Sequence, residues 1–503
     1  MKAKIKQRLR NCKRRIQRRL KKKQWNEQRR RMFKDKNIHY EIGVKTQGIR
    51  YGGIGTIHLL VQKLHFADLL DKRLRLLKRH VPYFESDHVC NMTYNILAGG
   101  KCLEDIELLR NDETYLNLLG AQRIPDPTTA GDFLRRFKAK DVETLMDVIN
   151  DRRLRVWQQQ PADFFEHAII EGDGTMAETT AACKEGMDLS YKRTWGYHPL
   201  LISLANTQEP LFLCNRSASR PSHEDAAGYF DRARILCRTA GFRKVSFRGD
   251  TDFSQTKYLD GWHAADVRFV FGIDAMPNLV ALAQALPADA WQVLARPAAY
   301  EVKTQPRQRP LNVKETVVQE KGYTNIVLVQ EQVAEFPYRP GNCERDYRLV
   351  VVRKHLRIEA GGVKLRDEVR YLFYITNEAA WTQPDIVFFA NDRCHQENLI
   401  EQLKNGVCAM RLPVNTLVAN WAYMVIAALA WTLKAWLALL QPRSEHRCAL
   451  LTMEFKKFLQ QLMLLPCQIV RGGRCLIYRL LQWNPWVEVL FQSVEVLRAL
   501  QIT

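Results

Sequence analysis

Two aspartates stand where predicted strands end, each beside a glycine, and their side chains could hold divalent metal ions. Asp173 lies in the run Glu171-Gly-Asp173-Gly-Thr, and Asp250 lies in Arg248-Gly-Asp250-Thr-Asp252. Carboxylates that leave neighbouring strands can meet at one edge of a sheet, and glycines there allow a phosphate to approach closely. Hard carboxylates suit Mg²⁺ or Mn²⁺. Two such ions, about 3.5–4 Å apart, can activate a nucleophile and stabilise a leaving oxygen.

A third carboxylate is needed to hold both ions well, and a polar helix predicted over residues 392–405 supplies candidates. Glu397, Glu401, Lys404 and Asn405 fall at i, i+4, i+7 and i+8, so they share one helix face. Residue types alone leave the alternative open that all these acids are ordinary turn or capping groups.

The charge of the chain is concentrated at one end. The chain has 503 residues, of which 46% are hydrophobic and 26% charged, and this composition excludes a wholly disordered chain. Residues 1–36 contain 18 Lys and Arg but two acids, so they carry +16 of the net charge of +22. Such an excess indicates a polyanionic partner, either nucleic acid or anionic lipid.

Residues 1–36 have apolar residues at helical spacing among the cations. The stripe predicts a DNA-binding arm, disordered alone because its charges repel one another, that becomes helical mainly on a polyanion. A solvated tail and a membrane-surface helix are the alternatives. The apolar residues are Ile5, Leu9, Cys12, Ile16 and Leu20. The cations expected to contact phosphates without discriminating sequence are Lys13, Arg14, Arg15, Arg18, Arg19, Lys21, Lys22 and Lys23.

Residues 37–160 are predicted to form a helical domain that binds DNA or only packs. Its outward-facing Arg135 and Arg136 are the candidate DNA contacts, and a solvated basic face is the alternative interpretation. Residues 161–290 show the order β-β-β-α-β-α-β, which indicates a mixed sheet with helices on it.

The second half of the chain divides into three further parts. Residues 300–377 are predicted to be a β-rich insertion, residues 378–440 to complete the catalytic domain with the polar helix, and residues 441–503 to be helical. The apolar stretch 412–440 is long enough to span a membrane, but its Pro413, Asn415 and Asn420 favour a buried core helix. The 12 cysteines lack metal-type spacing, and reduced thiols are expected.

Seven stretches in collinear order, within roughly residues 40–440, resemble bacterial insertion-sequence transposases of the DDE type, and most closely the IS-thirteen-eighty group. They are Tyr51-Gly-Gly-Ile-Gly-Thr, residues 124–137 (IPDPTTAGDFLRRF), Glu171-Gly-Asp-Gly-Thr175, Gly196-Tyr-His-Pro-Leu200, Arg248-Gly-Asp-Thr-Asp-Phe253, Tyr371-Leu-Phe-Tyr-Ile-Thr-Asn377 and Asn398-Leu-Ile-Glu-Gln-Leu-Lys404.

The resemblance implies an α+β protein with a ribonuclease-H-like mixed sheet, a β-rich insertion, and helical N- and C-terminal parts. It also implies that Asp173, Asp250 and Glu401 are the catalytic, metal-binding acids, with two Mg²⁺ or Mn²⁺ ions as cofactors. The rivals nearest in sequence are Asp252 and Glu397, and Glu171 is a weaker one.

Related cut-and-paste enzymes have the pattern Tyr-x-x-Arg-x-x-x-Glu-x-x-x-x-x-x-Lys. One part of this sequence departs from it. When Glu401 is aligned with its Glu, Cys394 and Glu397 stand at the Tyr and Arg positions. The DNA contacts made by this helix in relatives are therefore not carried over. Lys404 is assigned to DNA binding only from the face that it shares with Glu401.

The function predicted from these features is that of a transposase in the bacterial cytoplasm, associated with the nucleoid. It would act as a homodimer on double-stranded DNA, cut at terminal inverted repeats and join 3′-OH ends to target DNA, with no membrane partner. The alternatives are a ribonuclease-H-like nuclease or resolvase without strand transfer, and an inactive DNA-binding relic.

Overall fold

The computed structural model describes residues 3–20, 47–296, 313–472 and 475–501. The described residues between 47 and 160 are mostly helical, as predicted for residues 37–160. The elements of this first part of the chain are α1 (Ala3–Leu20), β1 (Gly48–Ile49), α2 (Ile54–Lys63), α3 (Phe66–Arg73), α4 (Glu85–Leu97), α5 (Ile106–Arg110), α6 (Glu113–Leu119), α7 (Pro127–Leu134) and α8 (Ala139–Trp157). Helix α1 lies in the basic arm, for which a helix was predicted mainly on a polyanion.

The predicted order of strands and helices between residues 161 and 290 is confirmed. The elements are β2 (His167–Gly174), β3 (Ala177–Glu178), β4 (Asp188–Leu189), β5 (Trp195–Tyr197), β6 (Leu200–Leu204), β7 (Glu209–Cys214), α9 (Ala226–Ala240), β8 (Lys244–Gly249), α10 (Leu259–Ala264), β9 (Val267–Ile273), α11 (Pro277–Gln284) and β10 (Gln292–Val293). The short strands β3, β4 and β5 form a small separate sheet.

The elements that follow include three long strands. They are α12 (Val313–Lys321), β11 (Thr324–Tyr338), β12 (Tyr347–Ala360), β13 (Val363–Thr376), α13 (Gln383–Asn391), α14 (Cys394–Glu401), α15 (Leu417–Leu439), α16 (Ser444–Leu451), α17 (Phe455–Phe458), β14 (Cys467–Gly472), β15 (Cys475–Leu480) and α18 (Val487–Ala499).

A nine-stranded mixed sheet forms the centre of the fold, in the order β10-β11-β12-β13-β9-β8-β2-β6-β7. Strands β2, β8 and β9 are parallel, and the other neighbours are antiparallel. Helix α9 packs against β2, β6 and β8, while α15 packs against β7 and α13 against β9. The expected mixed α+β fold is confirmed, and it is consistent with a ribonuclease-H-like sheet.

The β-rich insertion is present, but its strands extend the central sheet and are not a separate β layer. Strand β13 pairs with β9 through residues 373–376, so β11, β12 and β13 continue the sheet outward. The pairing of β13 with β9 is possible because the buried side chains of Phe373 and Ile375 continue the apolar pattern of β9.

The prediction that residues 441–503 are helical is wrong in one place. Strands β14 and β15 form a hairpin there, and β14 also pairs with β1. The sequence signal was the pair Gly472-Gly473 between two apolar runs, a pattern typical of a hairpin turn. The apolar helices on both sides of this segment masked that signal.

Helix α15 is the central helix of the fold. It is the one described helix long and apolar enough to cross a membrane, and its apolar window lies wholly inside the protein, as expected of a core helix. Buried Glu209 on β7 accepts hydrogen bonds from Arg153 (2.9 Å) and Trp157 (3.0 Å) on α8 and from Trp436 (2.8 Å) on α15. This satisfied carboxylate ties both helices to the sheet.

Candidate active site

The register of two parallel strands brings the predicted aspartates together. In the pairing of β2 with β8, Glu171 lies opposite Arg248. Asp173 and Asp250 each follow two residues later, so they project from the same face of the sheet as that pair. The sheet edge therefore presents two carboxylates side by side, as the strand-end pattern predicted.

A buried ion pair lies directly beneath these carboxylates. Arg248 is fully buried, and its Nε donates to Glu171 Oε1 at 2.8 Å. The same guanidinium donates to the carbonyl oxygens of Phe389 (2.7 Å) and Asp392 (3.0 Å), and it stacks on the Phe389 ring. Arg248 thereby fixes the junction between α13 and α14 on the two catalytic strands.

The next residue after that junction, Arg393, contacts both aspartates. Its Nη2 atom lies 3.4 Å from Asp173 Oδ2 and 3.5 Å from Asp250 Oδ2. These distances are long for hydrogen bonds, so the guanidinium acts here mainly as a cation between two anions. Arg393 was not predicted from the sequence, because the pattern of the helix was aligned on Glu401.

Burial and acidic neighbours raise the pKa of both carboxyl groups, and the charge of Arg393 opposes that rise. Burial raises the pKa of Asp173 to about 7, and the charges of Asp250 and Glu397 add to the rise, whereas Arg393 opposes it. Burial also raises the pKa of Asp250, with Arg393 opposing and Asp252 adding. A cation placed between the two aspartates relieves both effects.

Two glutamates on α14 compete for the role of third acid. Glu397 lies one helical turn after Arg393, and its charge acts on Asp173. Glu401 lies one turn further along; it is exposed and accepts a hydrogen bond from Asn405 Nδ2 at 2.7 Å. The charge of Glu401 acts on Lys404 instead. The assignment of Glu401 as the third acid stays a prediction.

When the Glu of the cut-and-paste pattern is aligned with Glu397 instead of Glu401, the sequence matches most of that pattern. With that choice Arg393 stands at the Arg position and Lys404 at the Lys position of Tyr-x-x-Arg-x-x-x-Glu-x-x-x-x-x-x-Lys. Only the Tyr position differs, because Ala390 occupies it. This four-residue shift was the sequence signal that could have found Arg393.

Lys404 lies beside the carboxylates on a π-helical turn, Gln402–Gly406, that follows α14. Burial lowers the pKa of Lys404, and the charges of Glu178, Glu401 and Asp173 oppose that effect. The ammonium group is therefore placed between the aspartate edge and the loop after β2.

The donor set fits a hard divalent cation. Asp173 and Asp250 already share one cationic partner, Arg393, and carboxylate oxygens are the ligands that Mg²⁺ and Mn²⁺ prefer. In the described parts of the chain no three His, Cys, Asp or Glu side chains are close enough together to hold a metal as they stand. A third acid on α14 would have to turn its side chain toward the two aspartates.

The other predicted DNA contacts belong to α1 and to the residues after α7. Arg135 and Arg136 are exposed beyond the end of α7, and Arg135 is paired with Asp132 at 2.8 Å. Lys13, Arg14, Arg15 and Arg18 are exposed on α1, whose apolar stripe from Ile5 to Ile16 is half-buried. Arg19 lies in that helix, but its side chain is outside the described set. Lys21, Lys22 and Lys23 lie outside the described residues.

A known protein family matches this chain over most of its length. The sequence profile of the family described as transposase DDE domain group 1 matches residues 40–502. The chain therefore belongs to the DDE transposase family. No curated protein matches the sequence significantly. A cryo-EM structure of a piggyBac transposase synaptic complex with hairpin DNA is similar over 82% of this chain and 81% of that chain, with 10% sequence identity and a TM-score of 0.35.

Proposed function

We propose that the protein is a metal-dependent DNA transposase that cuts at terminal inverted repeats and joins the freed 3′-OH ends to target DNA. The observation that carries this proposal is the convergence of Asp173 and Asp250 on one cation at the edge of a mixed sheet. Family membership supplies the reaction class, and the pair of strand-end carboxylates supplies the place where it occurs.

Asp173 and Asp250 are the proposed ligands of two Mg²⁺ or Mn²⁺ ions, and we assign the third ligand to Glu397 in preference to Glu401. The reasons are the effect of the Glu397 charge on Asp173 and its position one turn after Arg393. Bound ions would lower the pKa of water and stabilise the charge on the phosphate oxygens.

Cationic side chains of the protein neutralise the negative charge of the substrate. Arg393 Nε is buried and has no hydrogen-bond partner among the described residues, so its guanidinium can turn from the aspartates to a phosphate. In the first step a water oxygen bonds to phosphorus, the bond to the 3′ oxygen breaks, and that oxygen takes up a proton. In the second step the oxygen of the freed 3′-OH bonds to a target phosphorus and loses its proton, while the bond from that phosphorus to the target 3′ oxygen breaks and the leaving oxygen takes up a proton. No covalent enzyme intermediate forms.

The wider context of the reaction belongs to the same proposal. The element is a bacterial insertion sequence of the IS-thirteen-eighty group, the active form is a homodimer on double-stranded DNA, and the enzyme works in the cytoplasm at the nucleoid. These points rest on the seven collinear motifs, and the excess of +22 charges supports a DNA partner.

The test is Mg²⁺-dependent cleavage of DNA that carries the repeats flanking the gene. Asp173→Asn, Asp250→Asn and Glu397→Gln should each reduce cleavage at least about 1000-fold while DNA binding in a gel-shift assay persists. Asp274→Asn is the matched control, because Asp274 follows the next parallel strand, β9, and is exposed. It should cleave as the unchanged protein does.

The same assay decides between the two glutamates and between the candidate functions. Loss of cleavage in Glu401→Gln with normal cleavage in Glu397→Gln would assign the third ligand to Glu401. A joining assay with a free 3′-OH end separates a transposase from a nuclease or resolvase. Binding without any Mg²⁺-dependent cleavage would indicate an inactive relic.

A further inference from the structure

A cavity of about 460 Å³ lies between the loop that follows β2 and the turn that follows α14. Its wall on one side is the loop after β2, where Met176, Ala177 and Glu178 follow Asp173 within five residues. The opposite wall is the π-helical turn with Lys404 and Asn405. The same two segments carry Asp173, three residues before Met176, and Lys404, on which the charge of Asp173 acts.

Three cations surround this cavity, each from a different segment of the chain. They are Lys101 after α4, Lys404 after α14, and Arg411 before α15. None of them forms an ion pair within the described parts of the chain, although Glu178 faces the same space. Cations without a protein partner that line a concave site favour an anionic ligand.

Hydrogen bonds hold the segments that carry Lys101 and Arg411 in place. Asp105 Oδ2 accepts hydrogen bonds from the backbone nitrogens of Lys101 (2.7 Å) and Cys102 (3.2 Å). On the other side Lys184 Nζ donates to the carbonyl oxygens of Leu412 (2.6 Å) and Val414 (2.9 Å), directly after Arg411. The cavity is thus a preformed site, which lowers the entropic cost of binding.

Part of the remaining lining is apolar, beside the polar Glu178 and Asn405. Met176, Cys408 and Met410 contribute thioether, thiol and methylene surface beside the three cations. A phosphate alone would not use that surface, but a nucleotide unit has an apolar sugar and base as well as an anionic group. The flexible thioethers can adapt to different bases.

We infer that this cavity binds one nucleotide of the DNA strand next to the scissile phosphate, with its phosphate held by Lys101, Lys404 and Arg411. The inference rests on the proposed function and adds to it the position of the strand. The strand leaves the aspartate edge past Met176 and crosses to the helical N-terminal part, where Lys101 lies.

The test measures DNA affinity as a function of salt concentration, by fluorescence anisotropy with repeat-bearing DNA and without Mg²⁺. Lys101→Gln and Arg411→Gln should each weaken binding about 3- to 10-fold and reduce the slope of log K against log salt by about one. Lys244→Gln is the matched control, because Lys244 begins β8 at the end opposite Asp250, about 20 Å away along the strand. It should leave both quantities unchanged.

A footprint on the unchanged protein gives a second measurement that needs no variant. Bound DNA should protect Lys101 and Lys404 from acylation, detected by mass spectrometry, and leave Lys244 reactive. If the unchanged protein binds and cleaves DNA but Lys101→Gln and Arg411→Gln behave as Lys244→Gln does, this inference fails and the proposed function stands. If the unchanged protein neither binds nor cleaves, both fail.

Discussion

At the scale of single residues, the carboxyl group of Asp173 is held near its protonation midpoint at neutral pH. Burial favours the neutral form and Arg393 favours the anion, and burial is the larger effect because the pKa is raised to about 7. A divalent ion can bind this carboxyl only after the proton has left. Metal binding and proton release are therefore linked at this site.

The affinity for Mn²⁺ is expected to rise with pH from about 6 to about 8 and then to level off. Below the raised pKa of Asp173 the ion must displace a proton, so the affinity should change up to about tenfold per pH unit. Isothermal titration calorimetry in two buffers of different ionisation enthalpy measures the protons released. A pH-independent affinity without proton release would contradict the assigned ligand, and Asp173→Asn serves as the control.

The third acid shows what residue spacing can and cannot decide. Glu397 and Glu401 share one helix face, so helical periodicity predicts both as candidates and cannot choose between them. They differ by one turn, about 5.4 Å along the axis, and the cleavage assay of the two variants decides between them. Asp173 and Asp250, in contrast, were predictable because strand ends in a parallel pair must meet.

At the scale of elements, Arg248 connects the catalytic strands to the helix that carries the third acid. Its partners are Glu171 on β2 and the backbone at the end of α13. A buried pair of this kind contributes little net stability, but removing one partner leaves the other charge buried and unpaired. Stability and positioning can therefore be separated by experiment.

Arg248→Met alone should lower the free energy of unfolding by about 3–5 kcal/mol. The double variant Glu171→Met/Arg248→Met removes both charges and should recover most of that loss. Because α14 would then be less precisely placed, the double variant should still cleave about 100-fold more slowly. Chemical denaturation and the cleavage assay measure the two effects. Wild-type cleavage by a stable double variant would show that Arg248 does not position the helix.

Lys434 on α15 is a second buried cation, and its burial makes the stability of the protein depend on pH. It is 1% exposed, its Nζ donates to the carbonyl oxygen of Leu451 at 2.9 Å, and burial lowers its pKa to about 7. The folded state thus binds fewer protons than the unfolded state between pH 7 and the ordinary lysine pKa. Stability should rise with pH across that interval.

Lys434→Met should raise the free energy of unfolding at pH 7 by about 1–3 kcal/mol, because the cost of burying an ammonium group disappears. The gain should shrink towards pH 10, where the lysine is neutral in the folded protein. Thermal denaturation at pH 7 and pH 9.5 measures both values. A gain that stays equal at the two pH values would refute the titration of Lys434 as the cause.

Prediction of the elements succeeded where the local pattern and the tertiary packing agreed. Strands β2, β6, β7, β8 and β9 are short apolar runs with turn residues between them, and the sequence predicted each of them. The hairpin of β14 and β15 was not predicted, since β14 pairs with β1 at the other end of the chain. The extension of the sheet by β11, β12 and β13 likewise depends on a distant partner, β9.

At the scale of the whole molecule, the positive charge is divided between the basic arm and the cations near the active site. Most of the net charge of +22 lies in residues 1–36. Described contacts of the arm with the rest of the protein include Lys13, whose Nζ lies 5.8 Å from the centre of the Trp483 ring. The arm can therefore attract DNA in general while the site selects the scissile phosphate.

Deletion of residues 2–36 is expected to weaken DNA binding and to flatten its dependence on salt. Each lost phosphate contact removes about 0.9 from the slope of log K against log salt, so the loss of several contacts should be easy to detect. Thermal stability should change little, because α1, the part of the arm that the structure describes, has no extensive packing against another described element. An unchanged slope would refute the role of the arm.

The pairing of β1 with β14 joins residues more than 400 positions apart. Contacts between such distant segments form slowly, because closing a long loop costs conformational entropy before the contacts can stabilise the chain. A newly made chain would hold its apolar N-terminal helices uncovered until the last strands arrive, a condition that promotes aggregation. Slow synthesis at low temperature is thus the sensible way to produce this protein for the assays described above.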